Sequence, residues 1–188
     1  MILTGHHTVL RPAESSDFPE FYKWSYQMPP FHILANRKPL ALYPEALEAL
    51  VSPDRLLLAV SDRTFAPKGY ASVYSADPID QRANVDFFTT DECPALVRLE
   101  GCLLFLDFLF GWYPLRALYS RVPSNSDEER FLRRFGFREE GTLSEGLWND
   151  EASFVDLAVI TLTRDAWQSH RDSVIDSLAI AHRMDNPS

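Results

Sequence analysis

The sequence predicts a single mixed α/β domain, built on a mostly antiparallel central sheet with flanking helices. Three apolar or alternating segments, 55–62, 69–76 and 82–90, follow one another through short turns, which is typical of an antiparallel meander. A long apolar segment at 96–110 then precedes another strand at 115–123. We expect this segment to be a crossover helix that makes the strands on either side of it parallel.

The chain before the meander predicts one strand, one helix and a covering loop. The strand at 7–12 is stopped by Pro12, and Ser16 or Asp17 is the expected cap of the helix that follows. Residues 28–43 are rich in proline and aromatic side chains. This composition predicts a loop that wraps over the domain rather than a regular element.

The segment 96–110 predicts a buried helix. Pro94 suits the first turn of that helix, and Gly111 is the expected stop. The segment is apolar nearly all round. Glu100 and Asp107 lie seven residues apart and mark the stripe expected to face solvent.

The last third of the chain predicts a short helix at 126–135, a hairpin of 136–150 with 152–163 across Asn149-Asp150, and a terminal helix at 165–183. Gly136 ends the short helix, because glycine adopts the left-handed conformation that turns the chain into the next strand without strain. Residues 1–164 are therefore the expected domain, and 165–188 form a helical extension of it.

Charge and composition exclude some classes of function. The net charge of −9 repels nucleic acid and anionic membranes, and it is compatible with an amine partner, although acidity also serves solubility. Two cysteines form neither a disulfide framework nor a zinc site, and the histidines are not spaced for a metal. A signal-peptide pattern and a membrane-length apolar run are both absent from the sequence. We expect a cytoplasmic protein without a metal.

Three stretches resemble one known superfamily. "RVPSNSDEERFLRRFGFREEGTL" at 121–143 is similar to the carboxy-terminal half of the GNAT (Gcn5-related N-acetyltransferase) superfamily. "VLRPAESSDFPEFYKW" at 9–24 and "VDLAVITLTRDAW" at 155–167 resemble the branch that acetylates ribosomal-protein and other amino termini. The resemblance implies transfer of an acyl group, acetyl above all, from acetyl-CoA or another acyl-CoA to an amine.

The resemblance also implies where the donor binds. In this superfamily two parallel strands part, and the pantetheine arm of the cofactor enters the gap; here those strands are 82–90 and 115–122. The diphosphate lies at the start of the following helix. The residues implied at the cofactor are Phe87, Phe88, Thr89, Val97, Arg98, Leu99 and Asn125.

The sequence departs from the superfamily at this donor site. A diphosphate loop needs glycines so that backbone N–H groups can approach the anion closely, yet 89–102 holds no glycine before Gly101. Asp91 and Glu92 repel phosphate, and Arg98 is the one cation of the stretch. The expected donor is therefore either an acyl-CoA held without the usual loop or the phosphopantetheine of an acyl carrier protein.

The usual proton donors are also replaced. Relatives place a Tyr where this chain has Leu132, or a Ser where it has Glu128. Asp86 is the candidate base, because between apolar neighbours an inward carboxylate would have a raised pKa; strand alternation equally allows it to face solvent. Glu145 is a second candidate or a surface charge. Asn125 is a candidate to hydrogen-bond cofactor or acceptor, or to cap the helix.

The candidate residues for binding the acceptor lie in or next to the aromatic segment 28–43. Trp24, Phe31 and His32 are the candidate substrate-binding residues, and Cys93 lies near the implied thioester channel. The expected acceptor is an amine, either a peptide terminus or a small metabolite. The alternative is a GNAT-fold protein that has lost acetyl transfer and acts as a ligand-binding or regulatory module, or that catalyses another reaction in the same cleft.

Overall fold

The computed structural model describes residues 1–27, 55–149 and 153–185. The described strands are β1 (Leu3–Thr4), β2 (Val9–Pro12), β3 (Leu56–Ser61), β4 (Pro67–Asp77), β5 (Arg82–Thr89), β6 (Ala117–Pro123), β7 (Arg138–Asn149) and β8 (Ser153–Thr163). They form one eight-stranded sheet in the order β1-β2-β3-β4-β5-β6-β8-β7. The expected turn at Asn149-Asp150 lies partly outside the described residues.

The described helices are α1 (Phe18–Gln27), α2 (Ala95–Trp112), α3 (Asp127–Arg133) and α4 (Arg164–Asp185). Among the described strands only β5 and β6 pair in parallel, and α2 connects them; the other neighbouring strands are antiparallel. The predicted fold class, a mostly antiparallel sheet with one parallel pair and flanking helices, is confirmed. Among the helices of the described residues, none has both the length and the apolarity that crossing a bilayer requires.

The sheet separates two apolar clusters. Alternation along β5 sends Ala83, Val85 and Phe87 into the large cluster, which also includes side chains from α2, α3 and α4. Phe88 points to the opposite face and packs with α1 in the small cluster. The small cluster contains Phe18, Phe21, Trp24, Leu57, Ala59, Tyr70 and Phe88. Asp86 has the same parity as Phe88 and therefore lies on the α1 face.

Helix α2 is buried as expected, but its expected solvent stripe is wrong. Glu100 is only 8% exposed. Its carboxylate accepts the backbone N–H groups of His6, His7 and Thr8 at 2.7, 2.7 and 2.8 Å. Asp107 accepts two hydrogen bonds from Arg171 at 2.7 and 2.9 Å, which tie α2 to α4. The two acids fasten other segments to α2, and periodicity alone does not reveal such partners.

Helix α3 begins one residue later and ends two residues earlier than the predicted range 126–135. Gly136 has φ +93°, the left-handed conformation expected of it. The helix cap is Ser126, whose Oγ accepts the N–H of Glu129 at 3.1 Å. Asn125 precedes the cap with φ +62°, and its N–H donates to Glu129 Oε2 at 2.6 Å. The cap interpretation of Asn125 is therefore wrong.

Candidate functional site

A cleft opens where β5 and β6 part. Their parallel pairing covers three positions, from Arg82–Ala117 to Asn84–Tyr119, and does not continue beyond them. The rest of β5, from Val85 onwards, is paired on its other side with β4. In the part of the chain that the structure describes, the β5 backbone that faces β6 is thereby left without a strand partner. This is the geometry in which a polar chain can lie between two strands.

The cleft itself is narrow. Its volume is about 30 Å³, which is room for a water molecule or two. Its walls come from β4, β5, β6 and α3: Tyr70, Asp86, Phe87, Phe88, Ser120, Arg121, Val122, Pro123, Glu128 and Leu132. A ligand arm therefore enters only if the walls move apart.

Asp86 is the buried carboxylate of this cleft. Its side chain is 12% exposed. It lies directly opposite Ser72 on β4, whose Oγ donates to Oδ2 at 3.3 Å, and the Tyr74 hydroxyl donates to Oδ1 at 3.3 Å. Arg55 Nη2 is 3.4 Å from Oδ2. All three contacts are long for hydrogen bonds to a carboxylate, so the group is held loosely.

Burial is the largest influence on the pKa of the Asp86 carboxyl. Desolvation raises the pKa of the Asp86 carboxyl above its ordinary value, and the opposing effects of Arg55, Ser72, Tyr74 and Arg121 do not cancel that rise. The inward orientation, one of the two open alternatives, is what the structure has. Arg55, Ser72 and Tyr74 were not among the candidate residues, because they lie 12 to 31 residues away in sequence and only the sheet register brings them together.

Two further residues on the cleft wall come from α3. Leu132 is buried at the position where the sequence resemblance implies a Tyr, and it brings no ionisable group. Glu128 is half-buried on the same wall. Burial raises the pKa of Tyr70 well above its usual value, and the charges of Asp86 and Glu128 act in the same direction. The Tyr70 phenol therefore stays neutral.

The start of α2 does not fit the diphosphate of CoA. Pro94 occupies the cap position, brings no N–H donor, and no side chain caps the helix. Asp91 and Glu92 are exposed immediately before it. A diphosphate there would meet two carboxylates and no glycine. That this loop lacks the usual anion site stays a prediction from the sequence.

Arg98 is the nearest cation on α2, and its environment is unusual. Its guanidinium carbon lies 4.1 Å from the centre of the Phe131 ring on α3. Phe131 in turn stacks on Phe87 of β5, with centroids 5.9 Å apart and planes 17° apart. Arg98 Nε is buried and finds no hydrogen-bond partner among the described residues. This stack joins β5, α3 and α2 beside the cleft.

Three other residues implied at the cofactor do not line the cleft. Val97 is 4% exposed in the core, and its carbonyl accepts the Thr8 hydroxyl at 2.9 Å. Leu99 packs against the large cluster, and Thr89 is half-buried at the end of β5. The structure brings Phe87 and Phe88 to the cleft wall, whereas Val97 points into the core.

Glu145 and Asn125 lie at the far end of β6. Both have positive φ, +51° and +62°, and both are exposed. Glu145 N–H donates to Asp156 Oδ1 at 2.8 Å, and the carbonyl of Asp156 accepts the N–H of Ser124 at 2.9 Å. Glu145 therefore sits near the end of β6 but does not line the cleft, so its candidacy rests on sequence alone.

The acceptor residues are only partly described. Trp24 is 7% exposed; its ring is 5.4 Å from Phe21 and 6.0 Å from Phe88. Phe31 and His32 lie outside the described residues. Burial raises the pKa of the Cys93 thiol to about 11, so the reactive thiolate is disfavoured. Within the described ranges, no three His, Cys, Asp or Glu side chains group to hold a metal ion.

A larger cavity lies away from the cleft. Its volume is about 720 Å³, and it is lined by Arg55, Leu56, Val73, Ser75, Ala76, Leu109, Tyr113 and Leu115. It borders the start of β3, where the described chain resumes after residue 54. It contacts neither the unpaired part of β5 nor α3. We therefore base the functional interpretation on the small cleft between β5 and β6.

The same fold occurs in solved structures of acetyltransferases. A GCN5-related N-acetyltransferase from Brucella melitensis has a TM-score of 0.73 and 19% identity, over 95% of this chain and 85% of that chain. Spermidine N-acetyltransferase from Vibrio cholerae, in complex with CoA and spermine, has a TM-score of 0.70 and 17% identity, over 87% of this chain and 99% of that chain.

A dodecameric structure of the Vibrio cholerae enzyme in an intermediate state has a TM-score of 0.67 and 16% identity, over 87% of this chain and 97% of that chain. No family model matches the sequence, and the search of curated proteins gives no significant match. At these identities the similarity establishes the fold, which is the one that the sequence resemblance implies.

Proposed function

We propose that this protein is an N-acyltransferase that moves an acyl group, acetyl in the first instance, from a thioester donor to an amine. The observation that carries the proposal is the parting of β5 and β6 beside the buried carboxylate of Asp86. An open strand edge can hydrogen-bond the amides of a pantetheine arm. A carboxylate with a raised pKa beside that edge can take a proton from an ammonium group.

The chemistry assigns one main task to this chain. The amine nitrogen bonds to the thioester carbonyl carbon, and the carbon–sulfur bond breaks. Asp86 accepts the proton that the ammonium must lose before it can attack. Because Leu132 cannot donate a proton, the leaving thiolate takes one from solvent. We therefore expect slow turnover, with the base step intact and the acid step unassisted.

The nature of the acceptor follows from charge. An ammonium is attracted by Asp86 and Glu128, which both line the cleft, and by the net charge of −9. A structural neighbour is a spermidine N-acetyltransferase described in complex with CoA and spermine, and it supports an amine acceptor here in general. Trp24, Phe31 and His32 remain the proposed acceptor contacts, and Asn125 and Glu145 remain proposed secondary residues.

The test is thiol release from acetyl thioesters with a panel of amines. The panel contains a monoamine, a diamine, an amino acid and a peptide with a free amino terminus. Amine-dependent thiol release, together with an acetylated product in the mass spectrum, supports the proposal. No amine-dependent release with any donor, from protein whose fold is intact by circular dichroism, contradicts it.

A second function has one observation in its favour. The cleft holds only about 30 Å³, and Leu132 replaces the hydroxyl acid. These features fit a protein that binds a ligand at the cleft and has lost transfer. Stabilisation by a thioester or its thiol in a thermal-shift titration, roughly 2.7 kcal/mol at a hundredfold excess over the dissociation constant, without any turnover, would select this alternative.

A further inference from the structure

The start of α2 lacks the donors that the diphosphate of CoA needs, yet a cation, Arg98, lies in its first turn. Pro94, Asp91 and Glu92 remove a donor and add two negative charges where a diphosphate would lie. A nucleotide with two linked phosphates and a 3′-phosphate needs several donors. One guanidinium matches one phosphate group.

The contacts of Arg98 leave one of its N–H groups without a hydrogen-bond partner among the described residues. The guanidinium lies over Phe131 at 4.1 Å, and its Nε is buried without a hydrogen-bond partner among the described residues. A buried N–H group without a partner is unfavourable, and a ligand oxygen would satisfy it. Phe131 stacks on Phe87, which is a wall of the cleft. Arg98 is therefore one aromatic ring away from the path of an arm that lies along β5.

We infer that the donor is a thioester of 4′-phosphopantetheine without an adenine nucleotide, as on an acyl carrier protein, and that Arg98 binds its single phosphate. The inference rests on the proposed function and specifies the donor of that reaction. When the arm enters along β5, Arg98 leaves the face of Phe131 and forms a bidentate contact with the phosphate. Asp91 and Glu92 then disfavour any further phosphates beyond it.

Binding measurements test this inference without requiring turnover. Pantetheine, 4′-phosphopantetheine and CoA are titrated by calorimetry into the wild-type protein, Arg98→Gln and Arg98→Lys. Arg138→Gln is the matched control, because Arg138 is an exposed arginine on β7. We expect phosphopantetheine to bind at least tenfold more tightly than pantetheine and no more weakly than CoA. Arg98→Gln should reduce phosphopantetheine to the affinity of pantetheine, and Arg98→Lys should restore part of the difference.

Three outcomes overturn the inference. The first is CoA binding tenfold or more tightly than phosphopantetheine, because the nucleotide then contributes. The second is equal loss of all three ligands in Arg98→Gln, which indicates a structural role for Arg98. The third is no binding of any arm. If the expected binding pattern holds but S-acetyl-4′-phosphopantetheine supports no amine-dependent thiol release, the proposed transferase function fails while the assignment of Arg98 stands.

Discussion

Two buried carboxylates of this protein have opposite environments. Glu100 on α2 is 8% exposed and accepts three main-chain N–H groups at 2.7 to 2.8 Å. Asp86 on β5 has a 12% exposed side chain, and its three contacts are side-chain groups at 3.3 to 3.4 Å. Glu100 faces the turn before β2, whereas Asp86 faces the cleft.

We propose that the difference separates a structural acid, Glu100, from a catalytic one, Asp86. Short hydrogen bonds from three backbone N–H groups satisfy the Glu100 carboxylate and hold the turn against α2. Replacing these donors by a ligand is therefore unfavourable. The partners of Asp86 are longer contacts from side chains that can rotate, so a substrate ammonium can replace them. Desolvation also raises the pKa of Asp86, which improves it as a base near neutral pH. The following predictions test this division.

The largest expected effect is loss of transfer in Asp86→Asn. The amide keeps the shape of the side chain but cannot accept a proton from the ammonium. We expect kcat with the best amine to fall by at least about 100-fold, the lower range for removal of a general base. Thiol release under saturating donor and acceptor measures it.

The matched control for this substitution is Glu140→Gln, an exposed carboxylate on β7. It removes one negative charge without touching the cleft and should leave kcat within about twofold, as a surface change does. Unchanged turnover in Asp86→Asn would remove this residue from the mechanism and return the base assignment to Glu145 or to water.

The second prediction concerns stability rather than rate. Glu100→Gln leaves at least one of the N–H groups of His6, His7 and Thr8 facing an amide NH₂ instead of a carboxylate oxygen. We expect the free energy of unfolding to fall by about 3 kcal/mol, because charge-assisted hydrogen bonds contribute about 1.5–3 kcal/mol each. Chemical denaturation measures it.

The kcat values of the two variants also distinguish Glu100 from Asp86. At a temperature where both proteins are folded, Glu100→Gln should retain wild-type kcat, in contrast to Asp86→Asn. A stable but inactive Glu100→Gln would show that the turn before β2 communicates with the cleft, and the division between the two acids would then fail.

The third prediction is a gain of activity. Leu132→Tyr places a phenol on the cleft wall, where it can donate a proton to the leaving thiolate. We expect kcat to rise roughly tenfold, a modest share of what general acid catalysis contributes. Leu132→Phe is the control of equal size without the hydroxyl, and an equal rise in both variants would attribute the effect to a wider cleft.

The contrast between Asp86 and Glu100 also shows which features of the fold and the site can be predicted from the sequence. The helix stop at Gly136, the crossover by α2 and the parallel pair follow from local pattern and chain order, so they could be predicted. The inward orientation of Asp86 stayed open, because its side of β5 carries the polar Arg82 and Asn84 as well as the apolar Phe88, and alternation does not say whether that side faces solvent. Glu100 was expected in solvent, since its partners lie 92 to 94 residues away and no local pattern encodes them.

The smallest expected effect is a shift of the pH profile in Tyr74→Phe. Asp86 must be ionised to act as a base, so kcat/KM rises with pH as its carboxyl loses the proton, at a pH above the ordinary carboxyl value because burial raises the pKa. The Tyr74 hydrogen bond at 3.3 Å opposes that rise. Its removal should raise the pKa of Asp86 further and move the acidic limb to higher pH, while the plateau rate stays close to that of the wild type.

The acidic limb is measured for the wild type and for Tyr74→Phe from the pH profile of kcat/KM. The donor is one whose own reactivity does not depend on pH. A limb that does not move, or that moves to lower pH, would show that Tyr74 does not act on the ionisation of Asp86. The limb should be absent from the residual rate of Asp86→Asn. Its persistence there would mean that the titrating group is another residue or the amine itself, and the contrast with Glu100 would then rest on geometry alone.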